Sequence, residues 1–234
     1  MMYSAMVLGA TGNVGGRIVQ LLAASPHCAR IVAVTRRRTG AFTDPKVSEL
    51  VVNMDRMEEE LAPHAKGIDL ALAAFGVGKG TAKMTDADVR RVEVEYPAAF
   101  CRAARAGGAR VAGVMTAAGA SSSSMVRYAR IIGDKEKAVE AVGFEFLALY
   151  KPSVILGNSN TPGYLERVMP LLHWAMPSSM RSIHTNDLAR AMVARSEQAL
   201  LALPPAGSDA RVVQKLEYRD MEPYFVAGDR AGAR

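Results

Sequence analysis

Cysteine, tryptophan and long apolar runs are scarce in this sequence, and each scarcity excludes a class of protein. The 234 residues include two cysteines, Cys28 and Cys101, too few for a disulfide framework or a cysteine-based metal cluster. No apolar stretch reaches the roughly 20 residues that a membrane-spanning helix requires. No basic stripe is interleaved with aromatic residues, so nucleic-acid binding is not favoured. We therefore expect no metal site and no membrane or nucleic-acid partner.

The composition is otherwise ordinary for a globular protein. Half of the residues are hydrophobic and 22% are charged, and the length suffices for one large domain with a well-buried core. We treat residues 1–234 as a single domain. The first predicted strand begins within a few residues of Met1, which leaves no room for a cleavable signal. With two cysteines that need no partner, this predicts a cytoplasmic location.

A glycine-rich segment carries the clearest functional signal. Residues 9–15 read Gly-Ala-Thr-Gly-Asn-Val-Gly and directly follow the apolar run 5–8. In such a segment Gly9 allows a tight turn, Gly12 lets the backbone approach phosphates, and Gly15 lets a helix pack close to a strand. The N–H groups that begin the helix carry partial positive charge and face an anion. The pattern predicts a dinucleotide-binding loop, and a simple glycine turn is the alternative.

The next strand lacks the acidic residue that an NAD site usually has. In NAD sites an Asp or Glu about 20 residues after the loop binds the ribose hydroxyls. Here the second predicted strand, 30–35, is followed by Arg36, Arg37 and Arg38. Guanidinium groups bind a 2′-phosphate bidentately and stack on adenine. The pattern favours NADP(H) over NAD, and a solvated basic turn is the alternative.

Strands and helices alternate along the first two thirds of the chain. This order predicts an α/β protein with a doubly wound parallel sheet of the Rossmann type. A long helix is expected over 86–106, with a kink at Pro97. After residue 152 the alternation weakens, and the Gly- and Pro-rich segment 157–182 is predicted to form a small C-terminal lid over a second ligand, with a helix within 165–176. The six expected sheet strands are 5–8, 30–35, 49–53, 68–75, 110–115 and 145–150, and a short last strand is expected at 211–213.

These features together resemble the atypical short-chain dehydrogenase/reductase superfamily. In overall layout the chain is similar to the branch of Tat-interacting, oxidoreductase-like proteins, and the resemblance covers about residues 4–195. It rests on the glycine loop, on Arg36-Arg37, on Lys151-Pro152 after the sixth strand, on Ile-His-Thr-Asn-Asp-Leu-Ala-Arg-Ala at 183–191, and on segments 75–76, 91–96 and 116–120.

The resemblance implies that NADP(H) lies along the carboxyl ends of the strands. In the loop, Thr11, Gly12, Asn13 and Val14 would hold the pyrophosphate. Arg36 and Arg37 would bind the 2′-phosphate and adenine, and Asn53 and Met54 would flank the adenine. Phe75, Gly76 and Val77 would line the ribose and pyrophosphate, and Pro152, Ser153 and Val154 would pass over the nicotinamide ring. Thr116 would approach the nicotinamide.

The resemblance also implies a catalytic pair that this chain carries only in part. Reductases of the family use Tyr-x-x-x-Lys, in which the tyrosine is the acid and the lysine lowers its pKa, and a Ser or Thr after strand five holds the substrate oxygen. Tyr128 matches the position of the tyrosine, and Thr116 matches the position of the Ser or Thr after strand five. The position four residues after Tyr128 is Ile132. Lys135 shares the helix face but lies about 10 Å further along the axis.

Two functions therefore remain open from the sequence. The first is an NADPH-dependent reductase of a small carbonyl or quinone-like compound, with Tyr128 or a water as the proton donor. The second is a non-catalytic NADPH-binding protein that reports redox state to a protein partner, which the replacement of lysine by Ile132 favours. A sugar-nucleotide epimerase would need the intact pair and a larger substrate region. The long helix and the Tyr128 helix could form a face for a homodimer.

Overall fold

The central element of the fold is a seven-stranded parallel β-sheet. It is seen in a computed structural model that describes residues 2–78, 80–157, 161, 169, 176–204 and 211–225. Every neighbouring pair of strands in this sheet runs parallel. Its strands are β1 Tyr3–Leu8, β2 Cys28–Thr35, β3 Val47–Val51, β4 Leu70–Ala73, β5 Val111–Met115, β6 Phe146–Tyr150 and β9 Val212–Leu216.

The strand order confirms the doubly wound prediction. The strand order in the sheet is β3-β2-β1-β4-β5-β6-β9. Strands β2 and β3 are added on one side of β1, and β4, β5, β6 and β9 are added on the other side. The order reverses between β1 and β4, and in such sheets ligands bind in the crevice beyond the carboxyl ends at this point. The prediction for β3 was two residues late at both ends, because the Asn53 side chain accepts a hydrogen bond from the Asp55 N–H and starts a 3-10 turn there.

Helices cover both faces of the sheet. They are α1 Asn13–Ala24, α2 Met57–Ala65, α3 Asp86–Arg90, α4 Tyr96–Ala106, α5 Arg127–Glu140, α6 Thr185–Ala202 and α7 Tyr218–Met221. One face carries α1 and α6, whose apolar residues pack with side chains such as Val7 and Tyr150. The opposite face carries α2, α4 and α5, which pack with side chains such as Leu8 and Leu149. Burial on both faces explains why the strands are almost continuously apolar in sequence.

The helix expected over 86–106 is divided by a π-helical segment, Arg91–Glu95. Pro97 is the second residue of α4, which follows this segment directly, so the helix is irregular next to the proline whose missing N–H predicted a kink. The irregularity lies in the five residues before α4. A π turn inserts extra backbone into a helix and changes which side chains face inward. Glu93 belongs to this segment and is buried.

The chain after β6 contains a feature that the sequence did not predict. Strands β7 Ile155–Leu156 and β8 Ile183–His184 form a small parallel pair. They flank the whole of the predicted lid, 157–182, and the helix expected within 165–176 lies almost entirely outside the described residues. Strand β9 extends three residues beyond the predicted 211–213. Among the described helices, none combines the length and apolarity needed to cross a bilayer.

Candidate active site

A cleft of about 350 Å³ runs along the carboxyl ends of β1, β4, β5 and β6. It begins at the glycine loop and extends to the N-terminal turns of α5. It therefore lies at the position where the sheet topology favours a ligand. The residues that line it are Gly12, Asn13, Val14, Ala74, Phe75, Gly76, Gly78, Glu93, Met115, Thr116, Ala117, Tyr128, Lys135, Pro152, Ser153, Ile155 and Thr161.

The geometry of the loop requires glycine at two of its positions. Gly9 has φ +83°, and a Cβ added there would lie 2.3 Å from the carbonyl oxygen of Ala74. A Cβ added at Gly15 would lie 2.0 Å from the carbonyl oxygen of Gly9. Both approaches are far shorter than van der Waals contact. The absent side chain at Gly9 lets the loop lie against the end of β4, and the absent side chain at Gly15 lets α1 pack against the loop. Gly15 has the helix-packing role that its place in the loop predicts.

The N-terminus of α1 fits an anionic group. Its N-cap is Gly12, which has no side chain to cap the helix, and its first turn carries no acidic residue. Gly12, Asn13 and Val14 line the cleft, and Thr11 is exposed beside them. Unsatisfied N–H groups at a helix start attract phosphate through hydrogen bonds and the helix dipole. The loop therefore fits a pyrophosphate on the structure alone.

The residues expected around the adenosine lie beyond the cleft lining. Arg36, Arg37 and Arg38 follow β2 and are exposed, and among the described residues they form no ion pair. Asn53 is also exposed, and its side-chain oxygen already accepts the Asp55 N–H. Met54 is half-buried at the edge of a separate depression formed by the start of α2 and the start of α4. The guanidinium groups are therefore available for a phosphate, whereas one side of the Asn53 amide is occupied.

A buried ion pair forms the floor of the cleft below the end of β4. Lys135 Nζ lies 3.4 Å from Glu93 Oε2 and donates to the Phe75 carbonyl oxygen at 3.1 Å. The Val77 N–H donates to Glu93 Oε1 at 2.8 Å. A Cβ added at Gly76 would lie 2.8 Å from the same oxygen. Glu93 thus holds the Phe75–Val77 segment in place, a role that the sequence did not reveal.

Tyr128 lines the cleft but is not assisted by a lysine. Its hydroxyl has no hydrogen-bond partner among the described residues, and 41% of the residue surface is exposed. Partial burial of the phenol and the nearby negative charge of Glu93 raise the pKa of Tyr128. Ile132, at the position of the family lysine, is 1% exposed and does not line the cleft. Lys135 does reach the cleft, but its ammonium is engaged by Glu93.

Thr116 lies at the end of β5 and belongs to a buried polar network behind the cleft. Its Oγ1 is 2.9 Å from Glu136 Oε1 and 3.2 Å from the Tyr150 carbonyl oxygen. Lys151 Nζ donates to the same carboxylate oxygen at 2.6 Å and to the Ala120 carbonyl oxygen at 3.3 Å. The hydroxyl is therefore tied to an ion pair, which the sequence did not predict.

The segment after β6 contributes to the cleft through Pro152 and Ser153. The Pro152 carbonyl accepts the Ala118 N–H at 2.9 Å, which joins the ends of β5 and β6. Val154 is half-buried outside the cleft lining, and its carbonyl accepts the Ile183 N–H at 2.9 Å. Pro152 and Val154 thus lie in one segment, but of these two residues only Pro152 lines the cleft.

Comparisons with known families and curated proteins find one family model and several relatives that resemble this chain. The model of the family described as "Semialdehyde dehydrogenase, NAD binding domain" matches residues 4–92. The chain is 28% identical to "Protein fmp52, mitochondrial" of Aspergillus clavatus, over 89% of this chain and 93% of that protein. It is 26% identical to "Protein FMP52, mitochondrial" of Candida albicans, over 66% of this chain and 68% of that protein.

Solved structures share the fold at low sequence identity. A short-chain dehydrogenase of Burkholderia cenocepacia in complex with NADP superposes with a TM-score of 0.62 at 15% identity, covering 99% of this chain and 97% of that chain. MoeE5 in complex with UDP-glucose and NAD gives a TM-score of 0.63 at 15% identity, covering 92% of this chain and 76% of that chain. At this identity the likeness shows the fold alone.

The predicted cytoplasmic location is contradicted by these comparisons. The curated relatives are named as mitochondrial proteins. Both cysteines are free and buried. Free thiols persist wherever the compartment is reducing, so they do not distinguish one such compartment from another.

Proposed function

We propose that this chain, which has the NAD(P)-binding Rossmann fold of the short-chain dehydrogenase/reductase type, is an NADP(H)-dependent oxidoreductase that reduces a small carbonyl or quinone-like compound. One observation carries the proposal. A single cleft connects the start of α1, which fits a pyrophosphate, with the hydroxyl of Tyr128, for which the described part of the chain supplies no hydrogen-bond partner. A dinucleotide on the loop and a substrate at Tyr128 would therefore lie in one cleft.

The preference for NADP(H) over NAD rests on the residues after β2. Arg36 and Arg37 are exposed at the carboxyl end of the strand, and no carboxylate occupies the position that would bind a ribose 2′-hydroxyl. A 2′-phosphate would pair with the guanidinium groups, whereas NADH offers them no matching anion. The cofactor would extend from these arginines across the glycine loop to Pro152.

The Tyr128 hydroxyl suits the role of proton donor. When bound, NADPH would supply a hydride to the substrate carbon and become NADP⁺. A tyrosine phenol is protonated at neutral pH, so its O–H could bond to the substrate oxygen and transfer its proton there as negative charge develops. The raised pKa of Tyr128 makes it a weaker acid than an ordinary tyrosine, which agrees with the absence of a lysine partner at position 132. Solvent can return that proton because the side chain is exposed.

The first experiment is a calorimetric titration of the full chain with NADPH and, in parallel, with NADH. We expect NADPH to bind at least about tenfold more tightly, a difference of roughly 1.4 kcal/mol. NADPH oxidation is then followed with a panel of ketones, aldehydes and quinones. Tyr128→Phe should abolish turnover and leave NADPH affinity unchanged. Tyr96→Phe is the matched control, because the Tyr96 hydroxyl binds Asp55 outside the cleft. A fully active Tyr128→Phe variant would exclude Tyr128 as the donor.

A second candidate is an NADPH-binding protein without catalysis. It is favoured by a specific observation: Ile132 is buried at the position of the family lysine, and Lys135 is paired with Glu93 instead. In this case NADPH would bind, no compound of the panel would be reduced, and the cofactor would alter hydrogen-exchange protection around β7, β8 and the start of α6. Unchanged protection on NADPH binding would exclude this alternative.

We further propose a mitochondrial location, supported by the names of the curated relatives. The full chain with a C-terminal tag should co-fractionate with a mitochondrial marker when expressed in yeast. A tag signal confined to the cytosolic fraction would contradict this proposal.

A further inference from the structure

The hydrogen bonds of Thr116 bear on the kind of substrate that the cleft accepts. We propose that the substrate carries a hydrogen-bond donor in addition to its carbonyl group, as in a hydroxyketone, and that Thr116 accepts this donor. The inference rests on the proposed reductase function and specifies its substrate class. It assigns Thr116 a role different from holding the carbonyl oxygen.

The first step concerns the single proton of the Thr116 hydroxyl. Two acceptors lie within reach, Glu136 Oε1 at 2.9 Å and the Tyr150 carbonyl oxygen at 3.2 Å. The Tyr150 carbonyl already accepts the Thr116 N–H at 2.7 Å. A hydrogen bond to a carboxylate is stronger than one to a neutral carbonyl. The proton of the hydroxyl is therefore directed to Glu136, away from the cleft.

The second step concerns the charge of Glu136. Its carboxylate is buried and has two cationic neighbours, Lys151 Nζ at 2.6 Å and Lys215 Nζ at 3.8 Å. An ionised carboxylate only accepts hydrogen bonds. Turning the Thr116 proton toward the cleft would remove a donor from a buried charge, which is unfavourable. Glu136 is thus a positioning residue that fixes the orientation of the Thr116 hydroxyl.

The third step concerns the hydrogen bonds that Thr116 and Tyr128 can still form with a ligand. Thr116 lines the cleft. With its proton committed, its hydroxyl can accept an O–H or N–H but cannot donate to a carbonyl oxygen. Tyr128 lines the same cleft, and its hydroxyl, which has no partner among the described residues, can donate. Ser153 is not a free donor, since its hydroxyl donates to the Met180 carbonyl at 3.1 Å. One donor and one acceptor match a compound with one carbonyl and one hydroxyl.

The test uses two compounds that differ at one group. In 2-hydroxyacetophenone a hydroxyl stands where propiophenone has a methyl, and the ketone and ring are otherwise the same. With NADPH and the full chain, we expect kcat/KM at least about tenfold higher for the hydroxyketone. Binding of both compounds to the protein with NADP⁺ is measured by calorimetry, which reports the preference independently of turnover. The same tenfold preference is expected there.

Variants of Thr116 distinguish the effect of the hydrogen-bond acceptor from the effect of the side-chain shape. Thr116→Val keeps the side-chain shape but removes the acceptor, so the preference should disappear. Thr116→Ser keeps the hydroxyl and should retain it. In Glu136→Gln the amide can donate to Thr116, which frees the Thr116 proton for the cleft, so the preference should fall although Thr116 is intact. If Glu136→Gln does not fold, the two Thr116 variants decide the question.

The possible results are distinguishable. Equal kcat/KM and equal binding for the two compounds overturn this inference and leave the reductase function standing. NADPH binding without oxidation by either compound or by the wider panel overturns the reductase function, and a binding preference for the hydroxyketone would still support the acceptor role. If Thr116→Val weakens NADPH binding and leaves the preference unchanged, Thr116 contacts the cofactor and the inference is wrong.

Discussion

The ammonium of Lys135 lies 3.4 Å from the Glu93 carboxylate, and the two side chains are only 2% and 3% exposed. Burial lowers the pKa of Lys135, and the neighbouring Glu93 raises it in opposition. The pair leaves no net charge on the floor of the cleft while it anchors the loop after β4. A buried pair of this kind is costly to break from one side, because the remaining charge has no partner.

Removing one member of the pair should therefore be more harmful than removing both charges. We expect Lys135→Met to lower the free energy of unfolding by about 3–5 kcal/mol. The double variant Lys135→Met/Glu93→Gln should recover most of this loss, since the amide that replaces the carboxylate can still accept the Val77 N–H and carries no charge. Urea denaturation of both variants measures the difference. Equal destabilisation of the single and double variants would contradict the role of the unpaired charge.

Two adjacent glycines of α1 should respond differently to alanine. A Cβ at Gly15 would lie 2.0 Å from the Gly9 carbonyl oxygen, whereas one at Gly16 would lie 3.4 Å from the Ala10 carbonyl oxygen. Gly15→Ala should displace the loop, destabilise the protein and remove NADPH binding. Gly16→Ala should bind NADPH normally and gain up to about 1 kcal/mol from helix propensity. Thermal denaturation and calorimetry test both. Normal NADPH binding by Gly15→Ala would mean that the loop does not carry the cofactor.

The arginines after β2 should determine which cofactor is preferred. The double variant Arg36→Ala/Arg37→Ala should lose at least about tenfold in NADPH affinity, or roughly 1.4 kcal/mol, and bind NADH as before. The control is Lys137→Ala/Arg219→Ala, which removes the same charge from exposed positions outside the proposed site. If both double variants weaken NADPH binding equally, the effect is that of net charge alone.

The buried cysteines should make the protein sensitive to alkali. Burial raises the pKa of Cys101 to about 12 and that of Cys28 to about 11, from an ordinary value of 9.0. At a pH between the ordinary pKa and the raised pKa, the unfolded chain ionises its thiols and the folded chain does not. The contribution of the buried thiols to the free energy of unfolding is therefore fully present below about pH 9 and is lost as the pH rises.

For one thiol the loss amounts to about 1.4 kcal/mol by about pH 10. Urea denaturation at about pH 8 and about pH 10 measures it, and Cys101→Ala should show the smaller decrease between the two. A decrease of the same size in that variant would assign the alkaline loss to other groups, such as the buried Tyr3 and Tyr150, whose pKa values burial also raises.

The sequence was most informative where structure depends on local pattern. Helix α1 was predicted from the glycine loop and from apolar residues such as Ile18 and Leu22 at helical spacing, and both are fully buried. Continuous apolar runs predicted the strands of a parallel sheet, because such strands are covered on both faces. The short pair β7 and β8 was missed, since it forms between segments far apart in the chain.

Glu93 and Lys135 show why part of the site could not be predicted. Glu93 lies in a charged segment that reads as a solvated helix face, and the π turn places it in the interior. The spacing between Tyr128 and Lys135 predicts the distance between their backbones along the helix axis, but it does not predict how far their long side chains reach. In the structure both side chains line the same cleft. The hydrogen bond from Thr116 to Glu136 likewise depends on how α5 packs behind β5.

Strand β9 implies an order of events during synthesis. The Leu216 carbonyl accepts the Lys151 N–H at 2.8 Å, directly before Pro152, and Lys215 approaches Glu136. The glycine loop and its first neighbours emerge from the ribosome long before this strand. A nascent chain can therefore assemble β1, α1 and β2 early, but the segment that holds Thr116 and Pro152 gains the support of β9 only after the whole stretch between β6 and β9 has been synthesised.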